Sequence, residues 1–138
     1  MTTALDTCIL IDVFQGVGEF AVPSAEALSR ARREGPLVIC ELVYAELAAF
    51  AQERAILEEL LGELEIQVLA MGREAAFAAG LRFAEYRRAG GERRHIIADF
   101  LIGAHAEHHA HRLLTRDRGF FRGSFPGLVL VEVPRQRD

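Results

Sequence analysis

The sequence predicts an α/β fold: a three-layer α/β/α domain around a mostly parallel sheet of roughly five strands. Three observations lead there. Short apolar runs alternate with longer segments whose apolar residues recur at helical spacing. Short apolar strands between helices suit a mostly parallel sheet buried on both faces. No repeat, linker or low-complexity stretch interrupts them, so residues 1–138 read as a single domain.

Residues 2–5 (Thr-Thr-Ala-Leu) form the first strand, which stops at Asp6, and Cys8 to Phe14 a short helix broken by Gly16 and Gly18. Pro23-Ser24 marks a helix start, and Ala25 to Glu34 continues it until Gly35-Pro36. Leu37 to Cys40 is a second, buried strand. Glu41 to Leu61 is helical, as two helices with a break near Gln52, and Gly62 ends it. Ile66 to Leu69 is a third strand and Gly72 to Arg88 an alanine-rich helix. Gly90-Gly91 turns the chain into a helix over His95 to His109, with Ile96, Ile97, Phe100, Leu101 and Ala104 on its apolar face. Leu113 to Thr115 and Leu128 to Val131 complete the sheet.

Composition narrows the chemistry. No stretch approaches the roughly 20 apolar residues of a membrane span, and no basic region precedes an apolar run at the N-terminus, so a soluble, cytoplasmic protein is expected. Cys8 and Cys40 are too few for a disulfide framework and lack C-x-x-C spacing for zinc. All sixteen basic residues are Arg. Without lysine there is no P-loop, no Schiff base and no lysine-assisted phospho-aspartate. The net charge of -4 is unevenly spread: residues 1–69 carry twelve acids and four Arg, and residues 70–138 eight acids and twelve Arg.

Four acids stand out. Asp6 and Asp117 each follow the carboxyl end of a strand, where open α/β sheets bind ligands. Glu46 and Asp99 lie on helices in apolar company, where an ionised carboxylate is costly unless paired or bound to a cation. Asp99 also lies near its helix start, where the dipole favours negative charge. Taken singly, each helical acid also fits a structural ion pair, Glu46 with Arg54 or Asp99 with Arg94.

Taken together with their neighbours, the acids are more specific. The segments Leu5-Asp6-Thr7-Cys8-Ile9-Leu10-Ile11-Asp12, Cys40-Glu41-Leu42-Val43-Tyr44-Ala45-Glu46-Leu47, Asp99-Phe100-Leu101-Ile102-Gly103-Ala104-His105-Ala106 and Leu113-Leu114-Thr115-Arg116-Asp117 occur in that order over nearly the whole chain. This arrangement resembles the PIN-domain ribonucleases, most of all the VapC-type toxins of toxin-antitoxin pairs. The resemblance implies a catalytic, metal-binding set of Asp6, Glu46, Asp99 and Asp117. Asp6 and Asp99 would hold the main ion, Asp117 and Glu46 a second ion or a water, and Thr115 would supply hydrogen-bonding support. Oxygen donors of this kind suit Mg²⁺ or Mn²⁺. The implied reaction is hydrolysis of RNA phosphodiesters, in which an activated water attacks in line and the 3′ oxygen leaves. A cognate antitoxin and a homodimer are the implied partners. Two alternatives remain open at this point: a PIN nuclease of RNA maturation, and a catalytically silent PIN-like domain that binds a partner. Cys8 and Cys40 stand where the family favours Asn or Ser and Ser or Thr. A thiol is a weak donor, so looser orientation of Asp6 is expected.

Other residues carry weaker signals. His105 and His109 share a helical face, but no further cluster completes a zinc site, and packing explains them more simply. Paired histidines would also suit a metal-independent ribonuclease acting through the 2′-OH. Arg82, Arg87, Arg88, Arg93 and Arg94 around Gly90-Gly91 are placed to support an RNA backbone, with Arg112, Arg116, Arg118 and Arg122 as a second cluster near Asp117. The alternative for the first cluster is a solvated helix end favoured by the dipole. Asp12 reads as solvent-exposed at the end of a short helix, or as a fifth acid of the pocket.

Overall fold

The computed structural model describes residues 1–91, 97–131 and 133–134. Five parallel strands form one sheet: β1 (Thr3–Leu5), β2 (Leu37–Ile39), β3 (Ile66–Val68), β4 (Arg112–Leu114) and β5 (Val129–Val131), in the order β3-β2-β1-β4-β5. Among the described residues, seven helices cover its two faces: α1 (Thr7–Gln15), α2 (Ala21–Glu34), α3 (Glu41–Ala51), α4 (Arg54–Glu63), α5 (Arg73–Arg88), α6 (Ile97–His109) and α7 (Arg118–Ser124). This is the three-layer α/β/α arrangement that alternating apolar strands and helices dictate. None of these helices is long and apolar enough to cross a membrane.

Each strand is only three residues long, so the sheet depends on helices for burial. The central strands β1 and β2 are buried throughout, whereas β3 and β5 expose residues at the edges. The chain order reverses at β1: β2 and β3 extend to one side, β4 and β5 to the other. Such a reversal leaves a crevice at the carboxyl ends of the two strands that flank it, here β1 and β4. Asp6 follows one and Thr115 the other.

Several boundaries differ from the sequence expectation. Helix α1 begins one residue earlier, because Asp6 caps it by accepting a hydrogen bond from the Thr7 N–H. Helix α2 begins at Ala21 rather than Ala25, with Pro23 inside its first turn, where a missing N–H costs nothing. The break near Gln52 is present, and Gln52 takes the left-handed conformation at φ 63°. Gly62 does not end α4, which runs through Glu63. The expected start of the last long helix at His95, together with Ile96, lies outside the described residues. Helix α7 was not expected. Its Phe120 and Phe121, with Phe125 just beyond, pack inward, and Phe100 of α6 meets the rings of Phe83, Tyr86, Phe120 and Phe125 at centroid distances of 5.0 to 6.3 Å. Aromatic burial, rather than periodicity over seven residues, holds that helix.

Candidate active site

Asp6 is fixed from three directions. Its backbone N–H donates to the Leu114 carbonyl at 3.0 Å, continuing the β1–β4 pairing by one residue. Its Oδ1 accepts from the Thr7 N–H at 2.8 Å, and its Oδ2 accepts from the Thr115 hydroxyl at 2.6 Å. Thr115 is fully buried and also accepts, at Oγ1, the Asp117 N–H at 3.0 Å. One hydroxyl therefore ties the acid after β1 to the backbone of the acid after β4.

Thr7 makes the corresponding link on the other side. Its hydroxyl donates to Glu46 Oε1 at 2.8 Å, across from α1 to α3. A chain of contacts thus runs Glu46, Thr7, Asp6, Thr115, Asp117. Asp99, in the first turn of α6, joins through its charge: burial pushes the Asp6 carboxyl above its ordinary value, hydrogen bonds from Thr115 and Thr7 oppose this, and Asp99 raises it further. Thr7 was not singled out in the sequence, although its place directly after Asp6 in the first turn of a helix was a usable signal.

Glu46 lies differently from expectation. Its residue is exposed on α3, so an apolar environment does not explain its presence, and its carboxylate faces the Thr7 hydroxyl. Asp12 is neither exposed nor among the acids just described. It is buried, accepts two contacts from Arg116 at 2.7 and 3.0 Å, and accepts from Ser24 at 2.9 Å. The expected looseness beside Cys8 is offset. Its thiol donates a long hydrogen bond to Asp6 Oδ2 at 3.7 Å, and Thr115 and the Thr7 N–H, at 2.6 and 2.8 Å, supply the tighter orientation. Burial, and then the Asp6 charge, push the Cys8 thiol up to about 12, which keeps it protonated.

The donor chemistry bears on metal binding. Among the described residues, no three Asp, Glu, His or Cys side chains stand close enough to enclose an ion. The arrangement suits instead a hard cation that keeps several waters and takes one or two carboxylates. Asp6 retains acceptor capacity at both oxygens, and Asp99 adds negative charge beside it, which a cation would relieve. The residues present therefore fit Mg²⁺ or Mn²⁺.

The histidines are occupied elsewhere. His105 Nε2 donates to the Leu69 carbonyl at 2.8 Å and His109 Nε2 to the Met71 carbonyl at 2.7 Å, while Glu41 accepts the Met71 N–H at 2.9 Å. These contacts hold the segment between β3 and α5, and burial lowers the His105 pKa, favouring its neutral form. Neither zinc binding nor acid-base work is needed to explain them.

The arginines divide. Arg82 pairs with Glu107 at 3.1 Å, donates to the Ser124 carbonyl at 2.5 Å and lies 4.6 Å from the Phe125 centroid, so it packs α5 against α6 and α7. Arg87 sits 5.7 Å from the Phe83 centroid and is exposed with Arg88 at the end of α5. Arg93 and Arg94 lie outside the described residues. Arg112 is not beside Asp117: it opens β4 at the strand's opposite, amino-terminal end, bonded to Thr3 and Glu34. Arg116, expected at the RNA backbone, is engaged by Asp12 and lies 4.4 Å from the Phe20 centroid.

Comparison with known proteins agrees with this geometry. The solved structures similar to this chain include VapBC2 of Rickettsia felis, bound to a DNA fragment from its promoter, at 21% identity, covering 95% of this chain and 98% of that one, with a TM-score of 0.70. A toxin-antitoxin complex of Klebsiella pneumoniae gives 23% identity, 96% and 98% coverage and a TM-score of 0.71. VapBC-1 of nontypeable Haemophilus influenzae gives 19%, 96% and 98%, and 0.73. At such identities the likeness establishes the fold. No curated protein matches the sequence. The sequence itself matches the PIN domain over residues 3–126, and the chain belongs to the PIN domain family.

Proposed function

We propose that this protein is a divalent-cation-dependent endoribonuclease and the toxin of a toxin-antitoxin pair. PIN domains are in general nucleases. The observation that carries the reading is the shared Thr115 hydroxyl, which links Asp6 to the Asp117 backbone at the sheet's reversal point while the Asp99 charge bears on the same carboxyl.

In this reading Asp6 and Asp99 hold Mg²⁺ or Mn²⁺ directly, and Asp117 and Glu46 hold a second ion or orient water. Bound there, the cation would activate water and neutralise charge on the phosphate. Thr115 and the Thr7 N–H keep the Asp6 oxygens aimed, and the Thr7 hydroxyl keeps Glu46 turned towards them. Arg87 and Arg88, with Arg93 and Arg94 beyond them, would contact RNA phosphates. Purified protein incubated with RNA should cut it with Mn²⁺ or Mg²⁺ and stop in chelator; cutting that persists unchanged in Asp6→Asn would remove the assignment.

The antitoxin reading has its own support. Between α3 and α4 lies a groove of about 560 Å³ with Tyr44, Ala48, Leu57 and Val68 along it and Glu41, Glu53 and Glu58 among its lining. An amphipathic helix could lay its apolar face there and place an Arg among the carboxylates in place of the cation. The likeness to the Klebsiella pneumoniae toxin-antitoxin complex supports this partner over a role in RNA maturation. Co-expression with a small reading frame adjacent to its gene should give a complex inactive on RNA and weakened by Val68→Asp, a change at an exposed residue of the groove. Two copies of this chain would form the active homodimer, testable by sedimentation.

A further inference from the structure

Arg116 lies between Thr115 and Asp117, and its side chain has an employment that the reaction above leaves unused. The guanidinium turns to α1, where Nε meets Asp12 Oδ2 at 2.7 Å and Nη2 meets Asp12 Oδ1 at 3.0 Å. This is a two-pronged contact, the strongest geometry an arginine makes with a carboxylate. Asp12 is buried and held in turn by the fully buried Ser24 of α2, which donates to Oδ2 at 2.9 Å. The guanidinium plane also rests near the Phe20 ring, at 4.4 Å from its centroid. A side chain so occupied has little freedom left for a phosphate.

The placement along α1 matters more than the pair itself. Asp6 caps the helix, and Asp12 follows six residues later, about 9 Å along the axis. Consecutive residues Thr115 and Arg116 attach to these two points, Thr115 to Asp6 and Arg116 to Asp12. The contacts of Leu114 and Thr115 with Asp6 hold the start of the segment after β4 at one end of α1 only. An attachment farther along a rigid helix would limit rotation about that end, adding to the hold of Thr115 on the Asp117 N–H.

We infer that Asp12 and Arg116 are positioning residues: their ion pair clamps the Thr115–Asp117 segment to α1 and fixes the spacing of the Asp6 and Asp117 carboxyls. This rests on the nuclease reading above and goes beyond it. It also reassigns Arg116 from substrate contact to orientation of the site.

The test uses the full chain with Asp12→Asn, Arg116→Gln, Arg116→Lys and the double Asp12→Asn/Arg116→Gln, measuring kcat and KM on RNA, Mn²⁺ affinity by calorimetry, and folding by circular dichroism. Loss of a group that orients metal ligands costs about ten- to a hundred-fold. Each variant is expected to lose kcat and Mn²⁺ affinity on that scale, with KM within about two-fold of the original. The double should be no worse than the poorer single, because both break one contact. If Arg116→Gln fails to fold around an unpaired Asp12, Arg116→Lys and the neutral double variant carry the comparison. A raised KM and shallower salt dependence in Arg116→Gln, with normal kcat in Asp12→Asn, would overturn the clamp in favour of RNA contact. Folded variants with unaltered kcat and Mn²⁺ affinity would overturn it outright. Original protein that neither binds Mn²⁺ nor cuts RNA would instead sink the nuclease reading, and the clamp's part in catalysis with it.

Discussion

Thr115 and Asp6, separated by 109 positions in sequence, are joined by a 2.6 Å hydrogen bond from the threonine hydroxyl to the carboxylate. The same oxygen accepts the Asp117 N–H, so one buried atom couples two strand ends. Thr115→Val keeps the shape and removes both contacts. It is expected to cost about 1 to 3 kcal/mol of stability, since the Asp117 N–H loses its partner. Turnover on RNA should fall about ten- to a hundred-fold, while Thr115→Ser stays near the original. Denaturant unfolding and steady-state kinetics on the two variants check this.

Asp6 should oppose folding when no cation is present. Burial first and the Asp99 charge second raise its pKa, so the folded state holds the proton more tightly than the unfolded chain. The stability this gives is fully present below the ordinary value of 3.8 and is lost as pH rises through the folded value. At neutral pH, in chelator, Asp6→Asn is therefore expected to melt higher than the original protein. Mg²⁺ or Mn²⁺ should raise the melting temperature of the original by mass action and leave that of Asp6→Asn nearly unchanged. A scan with equal metal responses in both proteins would contradict the assignment.

His105 gives a pH dependence of the opposite sign. Burial depresses its pKa below the ordinary 6.5, with the nearby His109 lowering it further and the Leu69 contact and Glu41 opposing. The neutral ring supports the fold, so its contribution is present above about 6.5 and is lost as pH falls through the depressed value. Melting temperature should decline below that pH. In His105→Gln the decline should be shallower, even if the variant starts less stable.

Much of the fold was legible because short, largely apolar strands alternate with helical segments punctuated by Gly-Pro and Gly-Gly, and because the break at Gln52 interrupts a long helical pattern. Helix α7 was not, since seven residues with two glycines carry no period; its place depends on Phe120, Phe121 and Phe125 meeting Phe100 and one another across distant sequence. The acids at strand ends were readable from position alone. What tethers them was not. The Thr7–Glu46 and Asp12–Arg116 contacts are side-chain pairings across 39 and 104 positions, and sequence pattern reports which face a residue occupies without naming its partner.

Gly103 tests the packing of that aromatic layer. A Cβ added there would overlap the Phe125 ring, which is fully buried and cannot withdraw. Gly103→Ala favours helix by propensity, yet the overlap should make it destabilising by about 1 to 3 kcal/mol. Chemical denaturation should show the loss, and Gly103→Ala combined with Phe125→Leu should recover part of it.

The central claim, that water directed by Asp6, Asp99, Asp117 and Glu46 with a divalent cation cuts RNA, is tested most directly by the ends of the products. Purified protein would be incubated with a defined RNA in Mn²⁺ and in excess chelator, and the fragments identified by mass spectrometry. Hydrolysis by water should leave a 5′-phosphate and a 3′-hydroxyl, with no fragments in chelator. A 2′,3′-cyclic phosphate, or equal cleavage with the cation removed, would mean that the 2′-OH is the nucleophile and would contradict the account.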